Sequence, residues 1–210
     1  TRLVRGGGWP RGRGSVAVHG GIDWWALPAF APGNFVVRAA SGGAARLRLC
    51  RDGEQVGALT VGDGAQFGDI ALRVDASTYA VGVDGEAGAE YEIALDPDDP
   101  SALREFEPNG VLMQATPLPL DTVVAGSAWD AADRDVYRID TPTSGTLVAA
   151  LSRPDATATT TVRVLGSSGA ELSASTLAAL DGATETQARV GPGSAYVSVE
   201  TDGDDLTEYE

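Results

Sequence analysis

The side chains best suited by type and spacing to do chemistry are acidic. Glu105, Glu107 and Asn109 alternate along a stretch without helical periodicity, so on an extended backbone all three point to one side. Asp133 and Asp135 share a face in the same way, and Asp130 precedes them closely in the chain. Laid against one another, these segments would bring together about five or six oxygen donors, near the six to eight that a calcium ion takes. The competing reading is a set of solvated acidic turn residues, with Glu107 or Asn109 fixing the turn.

Aromatic residues make up only 6% of the chain, but four of them are tryptophan. Trp24 and Trp25 are adjacent, so on a strand one ring enters a core and the other looks outward. Beside Trp9, an outward ring would make a ligand-binding platform for a sugar ring or a protein surface. The alternative is that the N-terminal arm or a neighbouring domain covers it.

Catalysis finds little footing. His19 is the one imidazole, at the end of a Val-Ala-Val-His-Gly stretch, and no serine stands in a nucleophile-elbow pattern. Gly6-Gly7-Gly8 precedes no strand-to-helix unit and is no phosphate loop. Cys50 has no second cysteine in the chain to pair with and reads as a small, half-buried residue, the alternative being an intermolecular bridge or a reactive thiol. Arg2, Arg5, Arg11 and Arg13 form one basic patch, suited to docking on acidic surface. We assign no catalytic residue and expect no enzyme.

Charge narrows the partners. Thirty acidic residues against 15 basic ones, all arginine, leave a net charge of −15 over 210 residues. Such a body repels phosphate backbones and anionic lipid, which argues against nucleic acid and membrane insertion. With 43% hydrophobic residues a packed core is within reach. The chain opens without Met, as a mature or excised piece of a longer protein would.

The elements that must position these residues are short strands, punctuated by Gly, Pro, Asp and Ser. Candidates in the first half are Asn34–Ala39, Ala45–Cys50, Ile70–Val74, Thr78–Asp84 and Glu90–Leu95. The second half offers Thr122–Ala125, Asp135–Ile139, Gly145–Leu151, Thr160–Leu165, Thr186–Val190 and Ala195–Glu200. Ser175–Leu180 is the one helix-like piece, read as a loop or single turn. The pattern predicts an all-β chain of tandem antiparallel sandwiches of jelly-roll type.

The two halves repeat one another. Ser15–Gly20 matches Asp121–Gly126, Asp23–Leu27 matches Asp135–Ile139, and Arg46–Leu49 matches Val162–Leu165. Tyr79–Val83 matches Tyr196–Val199, and Glu90-Tyr91-Glu92 matches Glu208-Tyr209-Glu210. The expected division is a divergent first sandwich over 1–96, an acidic, proline-bearing linker over 97–106 and a second sandwich over 107–210. In this alignment the last strand stops in mid-course at Glu210, as in a chain that continues or one with an open edge.

The second half carries an ordered set of motifs: Glu105-Phe106-Glu107-Pro108-Asn109, an apolar strand ending at Gly126, Asp133-Arg134-Asp135-Val136-Tyr137, Gly191–Tyr196 and a closing Glu-Tyr. In this it resembles the bacterial pre-peptidase C-terminal domain family, which includes the collagen-binding domains of clostridial collagenases. The resemblance covers Glu105–Glu210 well and Ser15–Leu95 loosely. It implies a non-catalytic accessory module of a secreted or cell-surface protein that mediates adhesion to protein or glycan surfaces. It also implies calcium at Glu105, Glu107, Asn109, Asp130, Asp133 and Asp135. Gly110 departs from the family, which often has a second Asn or Asp there. The first half lacks the Glu-Pro-Asn entry and keeps only Asp23 of the aspartate pair, so no calcium is expected in it. The alternative function is a structural subunit or stalk of an extracellular surface layer or filament.

Overall fold

A computed structural model describes residues 11–16, 21–27, 32–61, 68–98, 103–129, 131–153, 158–178, 182–203 and 207–210. The chain is all-β, built of antiparallel sheets in sandwich-like pairs. It divides into two compact units, Thr1–Ala102 with Phe106–Pro108, and Leu103–Glu105 with Asn109–Glu210.

The first unit contains β1 (Arg11–Ser15), β2 (Ile22–Ala26), β3 (Gly33–Ser41), β4 (Ala45–Arg51), β5 (Glu54–Val61), β6 (Gly68–Val74), β7 (Tyr79–Gly85) and β8 (Glu90–Pro97). They form two sheets, ordered β1-β8-β3-β6 and β2-β7-β4-β5. Period-two alternation turns Leu47, Leu49, Val81, Val83, Ile93 and Leu95 inward, and all are essentially buried in one core.

The second unit contains β9 (Thr116–Pro117), β10 (Gly126–Ala128), β11 (Arg134–Thr141), β12 (Gly145–Ser152), β13 (Thr160–Leu165), β14 (Glu171–Leu177), β15 (Ala183–Val190), β16 (Gly193–Thr201) and β17 (Thr207–Tyr209). One sheet runs β14-β13-β16-β11-β9, with β9 parallel to β11. The opposite layer pairs β10 with β17 and β12 with β15. Reciprocal backbone hydrogen bonds between Ser152 and Glu210, of 2.8 and 2.9 Å, continue that layer from β17 to β12. Its order is therefore β10-β17-β12-β15, strand for strand the order of β1-β8-β3-β6.

The duplication extends to register. Asp23 stands opposite Val83 and Asp135 opposite Val199. Leu47 faces the same Val83, and Val162 the same Val199. The β4–β5 pair slips register after Leu49, and the β13–β14 pair slips after Val164. One residue beyond each valine, Arg48 bonds Asp84 at 2.5 Å and Arg163 bonds Glu200 at 2.6 Å.

Some expectations change. Leu47 aligns with Val162, one residue off the Arg46–Val162 match. Gly14, opposite Tyr91, is the counterpart of Gly126, opposite Tyr209; the Ser15–Gly20 match was six residues out of step. Residues 122–125 form no strand, and the strand is Gly126–Ala128. Ser175–Leu180 is not a turn of helix at its start, because Ser175 and Leu177 belong to β14. There the hydroxyls of Ser173 and Ser175 pair with those of Thr186 and Thr184, each at 2.7 Å, which binds a polar edge strand without an apolar stripe. The described helical turn is the 3-10 turn Leu112–Gln114.

Candidate metal centre

Strand β11 brings the site's central carboxylate into place. Alternation puts Asp135, Tyr137 and Ile139 on its inner face, and their exposures are 0%, 2% and 3%. A lone buried carboxylate is costly, so its partners matter. Tyr209, arriving on β17 from the opposite layer, donates its hydroxyl to Asp135 Oδ2 at 2.5 Å. It also lies 2.8 Å from the Tyr137 hydroxyl.

The entry segment supplies the rest. Glu105 Oε2 accepts the Ser127 backbone N–H at 2.8 Å. Glu105 Oε1 accepts the Tyr137 hydroxyl at 2.9 Å, the Asn109 side-chain amide at 3.0 Å and the Tyr209 hydroxyl at 3.2 Å. Glu107, two residues along, is buried, and its backbone bonds Ala71 and Arg73 of the strand β6. Glu105, Glu107 and Asp135 each offer one carboxylate oxygen, and these atoms lie within 4.8 Å of one another. That is the spacing of oxygens around one cation.

Two features bear on how the cluster's oxygens are satisfied. Two phenolic protons are shared among four oxygen–oxygen contacts, those of Tyr137 with Glu105 and Tyr209 and those of Tyr209 with Glu105 and Asp135. Asn109 is fully buried, and with its amide nitrogen committed to Glu105 its carbonyl Oδ1 has no hydrogen-bond partner among the described residues. A buried amide oxygen without a donor is costly, and it is a good ligand for a hard cation. Burial pushes both tyrosine hydroxyls well above their usual range. For Tyr137 the next cause is the charge of Glu105, and for Tyr209 that of Asp135. Both therefore stay protonated donors.

No family model matches the chain, and no curated protein matches it either. Among solved structures, tripeptidyl peptidase 2 is similar over 100% of this chain and 23% of its own, with 8% identity and a TM-score of 0.36. The M60 catalytic domain with the CBM51-1 and CBM51-2 domains of Clostridium perfringens ZmpB covers 90% of this chain and 33% of its own, with 6% identity and a TM-score of 0.28. A β-glucosidase from Paenibacillus barengoltzii covers 54% and 13%, with 13% identity and a TM-score of 0.29. The chain thus spans at most about a third of each of these proteins, and similarity this slight carries no argument about activity.

The structure sorts the expected ligands. It brings Glu105, Glu107 and Asp135 together and places Asn109 on Glu105. Asp133 stands outside this trio: one of its oxygens accepts the Trp129 backbone N–H at 2.9 Å and closes the loop before β11. Asp130 lies outside the described residues. Gly110 sits where a Cβ would come 3.2 Å from the Arg134 carbonyl oxygen, so the backbone leaves little room for the family's Asn or Asp. The composition of the chain held no cue to the tyrosine pair; the Asp-x-Tyr spacing on β11 and the closing Glu-Tyr were the available signals.

Of the tryptophans, Trp25 is 7% exposed and belongs to the first core, and Trp24 is 41% exposed on the outer face. Trp25 therefore offers a ligand no surface, and Trp24 is the one of the pair that does. Trp24 borders a shallow groove of about 430 Å³ with Ala26, Cys50, Gly53, Thr78, Tyr79 and Ala80. Cys50 is buried there, and burial raises its thiol above the ordinary range, against the opposing charge of Arg48. Trp9, His19, Gly6–Gly8, Arg2 and Arg5 lie outside the described residues.

Proposed function

We propose that this chain is a non-catalytic accessory module of a secreted or cell-surface protein, stiffened by calcium held by Glu105, Glu107, Asn109 and Asp135. The observation that carries this reading is the trio of carboxylate oxygens within 4.8 Å of one another, with the buried Asn109 amide bonded to Glu105. All four are hard oxygen donors, which suit calcium over softer transition metals. Asp135 and Asn109 are completely buried, so the cluster suits an enclosed ion better than a substrate needing access. An acidic body agrees with an exterior address. Adhesion to a protein or glycan surface falls to the outer face around Trp24, where an aromatic ring and an apolar groove are open.

Terbium luminescence tests the ion site. Terbium bound there is sensitised through Tyr137 and Tyr209, and calcium displaces it. Asp135→Asn and, in case that variant folds poorly, Asn109→Ser each abolish the signal. A folded wild-type chain with no calcium-displaceable emission overturns the reading.

A further inference from the structure

The first unit repeats the core of the second unit's site with one substitution that changes its chemistry. Tyr91, on β8, donates its hydroxyl to Asp23 Oδ2 at 2.8 Å, as Tyr209 does to Asp135. In place of Tyr137 stands Trp25, whose indole N–H donates to the Tyr91 hydroxyl at 2.9 Å. The two rings meet edge to face, with centroids 6.4 Å apart.

The difference lies in proton count. A phenol in the Tyr137 position can donate or accept, and Tyr137 and Tyr209 share two protons among four contacts. An indole N–H only donates. Its proton goes to Tyr91, the Tyr91 proton goes to Asp23, and each contact has one donor and one acceptor. Nothing in that chain calls for a cation.

We propose that Trp25, Tyr91 and Asp23 form a metal-independent lock between the two sheets of the first unit, closed by the indole N–H. Calcium then orders β11 and leaves the lock strands Ile22–Ala26 and Glu90–Pro97 unchanged. The proposal rests on the calcium reading only for the second unit's response. Burial pushes the Tyr91 hydroxyl up to about 12, with the Trp25 N–H opposing and Asp23 adding, which keeps it a protonated donor.

Hydrogen exchange on the full chain, read by peptide with and without calcium, tests it. Tyr91→Phe removes the central hydroxyl and speeds exchange in Ile22–Ala26 and Glu90–Pro97 by about tenfold, by the same factor in chelator and in calcium. Asp23→Asn keeps an acceptor and stays within about threefold of wild type, a result that a cation site would not give. An effect of Tyr91→Phe that calcium suppresses, an Asp23→Asn variant as fast as Tyr91→Phe, or no effect of Tyr91→Phe overturns the lock. Failure of the calcium reading shows elsewhere, as β11 peptides of the wild type that calcium does not protect.

Discussion

Gly126 stands directly opposite Tyr209, and a Cβ at that position would lie 2.5 Å from the Tyr137 hydroxyl and 2.6 Å from Tyr209 Cζ. The glycine is thus a space requirement of the tyrosine pair, with an aromatic ring laid over a cross-strand glycine. Gly14 holds the same relation to Tyr91. Gly126→Ala must push both rings off the carboxylates. We expect a loss of about 1–3 kcal/mol by urea unfolding, together with loss of the calcium response. A variant as stable as wild type would show that the rings are not so confined.

Gly110→Asp adds a carboxylate beside Asn109, yet it should weaken binding. The new Cβ meets the Arg134 carbonyl at 3.2 Å, and backbone yields poorly. A calorimetric calcium titration should give a higher dissociation constant than wild type. Tighter binding would mean that the loop adapts.

Arg153 is 4% exposed, and its guanidinium donates to the carbonyls of Ala158, Leu177 and Ala178 and to the Thr160 hydroxyl. Arg153→Met fills similar volume but strands those acceptors. The expected cost is about 2 kcal/mol or more in chemical denaturation. The exposed Arg138–Asp140 pair, at 3.5 Å, serves as a control, and Arg138→Met should cost less than about 1 kcal/mol.

Alkali should unfold the first unit through Tyr91. Its folded pKa, about 12, lies above the ordinary tyrosine value of 10.0, so the folded state holds the proton more tightly. That stability is fully present below pH 10 and is lost as pH rises toward 12. Stability measured against pH should therefore fall across this window in wild type, and less steeply in Tyr91→Phe. Equal slopes in the two proteins would contradict the assignment.

Much of this was legible in the residues. Alternation marked most of the long core strands, and Asp23–Asp135 and Tyr91–Tyr209 are true counterparts because each pair sits at the same register. The first strand was misread because Val16–Val18 looks more strand-like than Arg11-Gly12-Arg13-Gly14, whose value lies in a glycine that makes room for a ring. Strand β14 was missed because Ser173 and Ser175 bind by hydroxyl pairs, which hydropathy does not register. The acidic trio was visible as spacing, but Asp133 was not separable from Asp135: both are buried, and the Trp129 backbone N–H that Asp133 accepts is seen only in the fold.

Thermal unfolding across a calcium titration, begun from chelated protein, tests the central claim most directly. A site made of Glu105, Glu107, Asn109 and Asp135 predicts saturable stabilisation, about 2.7 kcal/mol at roughly a hundred times the dissociation constant, and none in Asp135→Asn. A flat wild-type response would contradict the account and leave the cluster as a carboxylate network held by tyrosine hydroxyls alone.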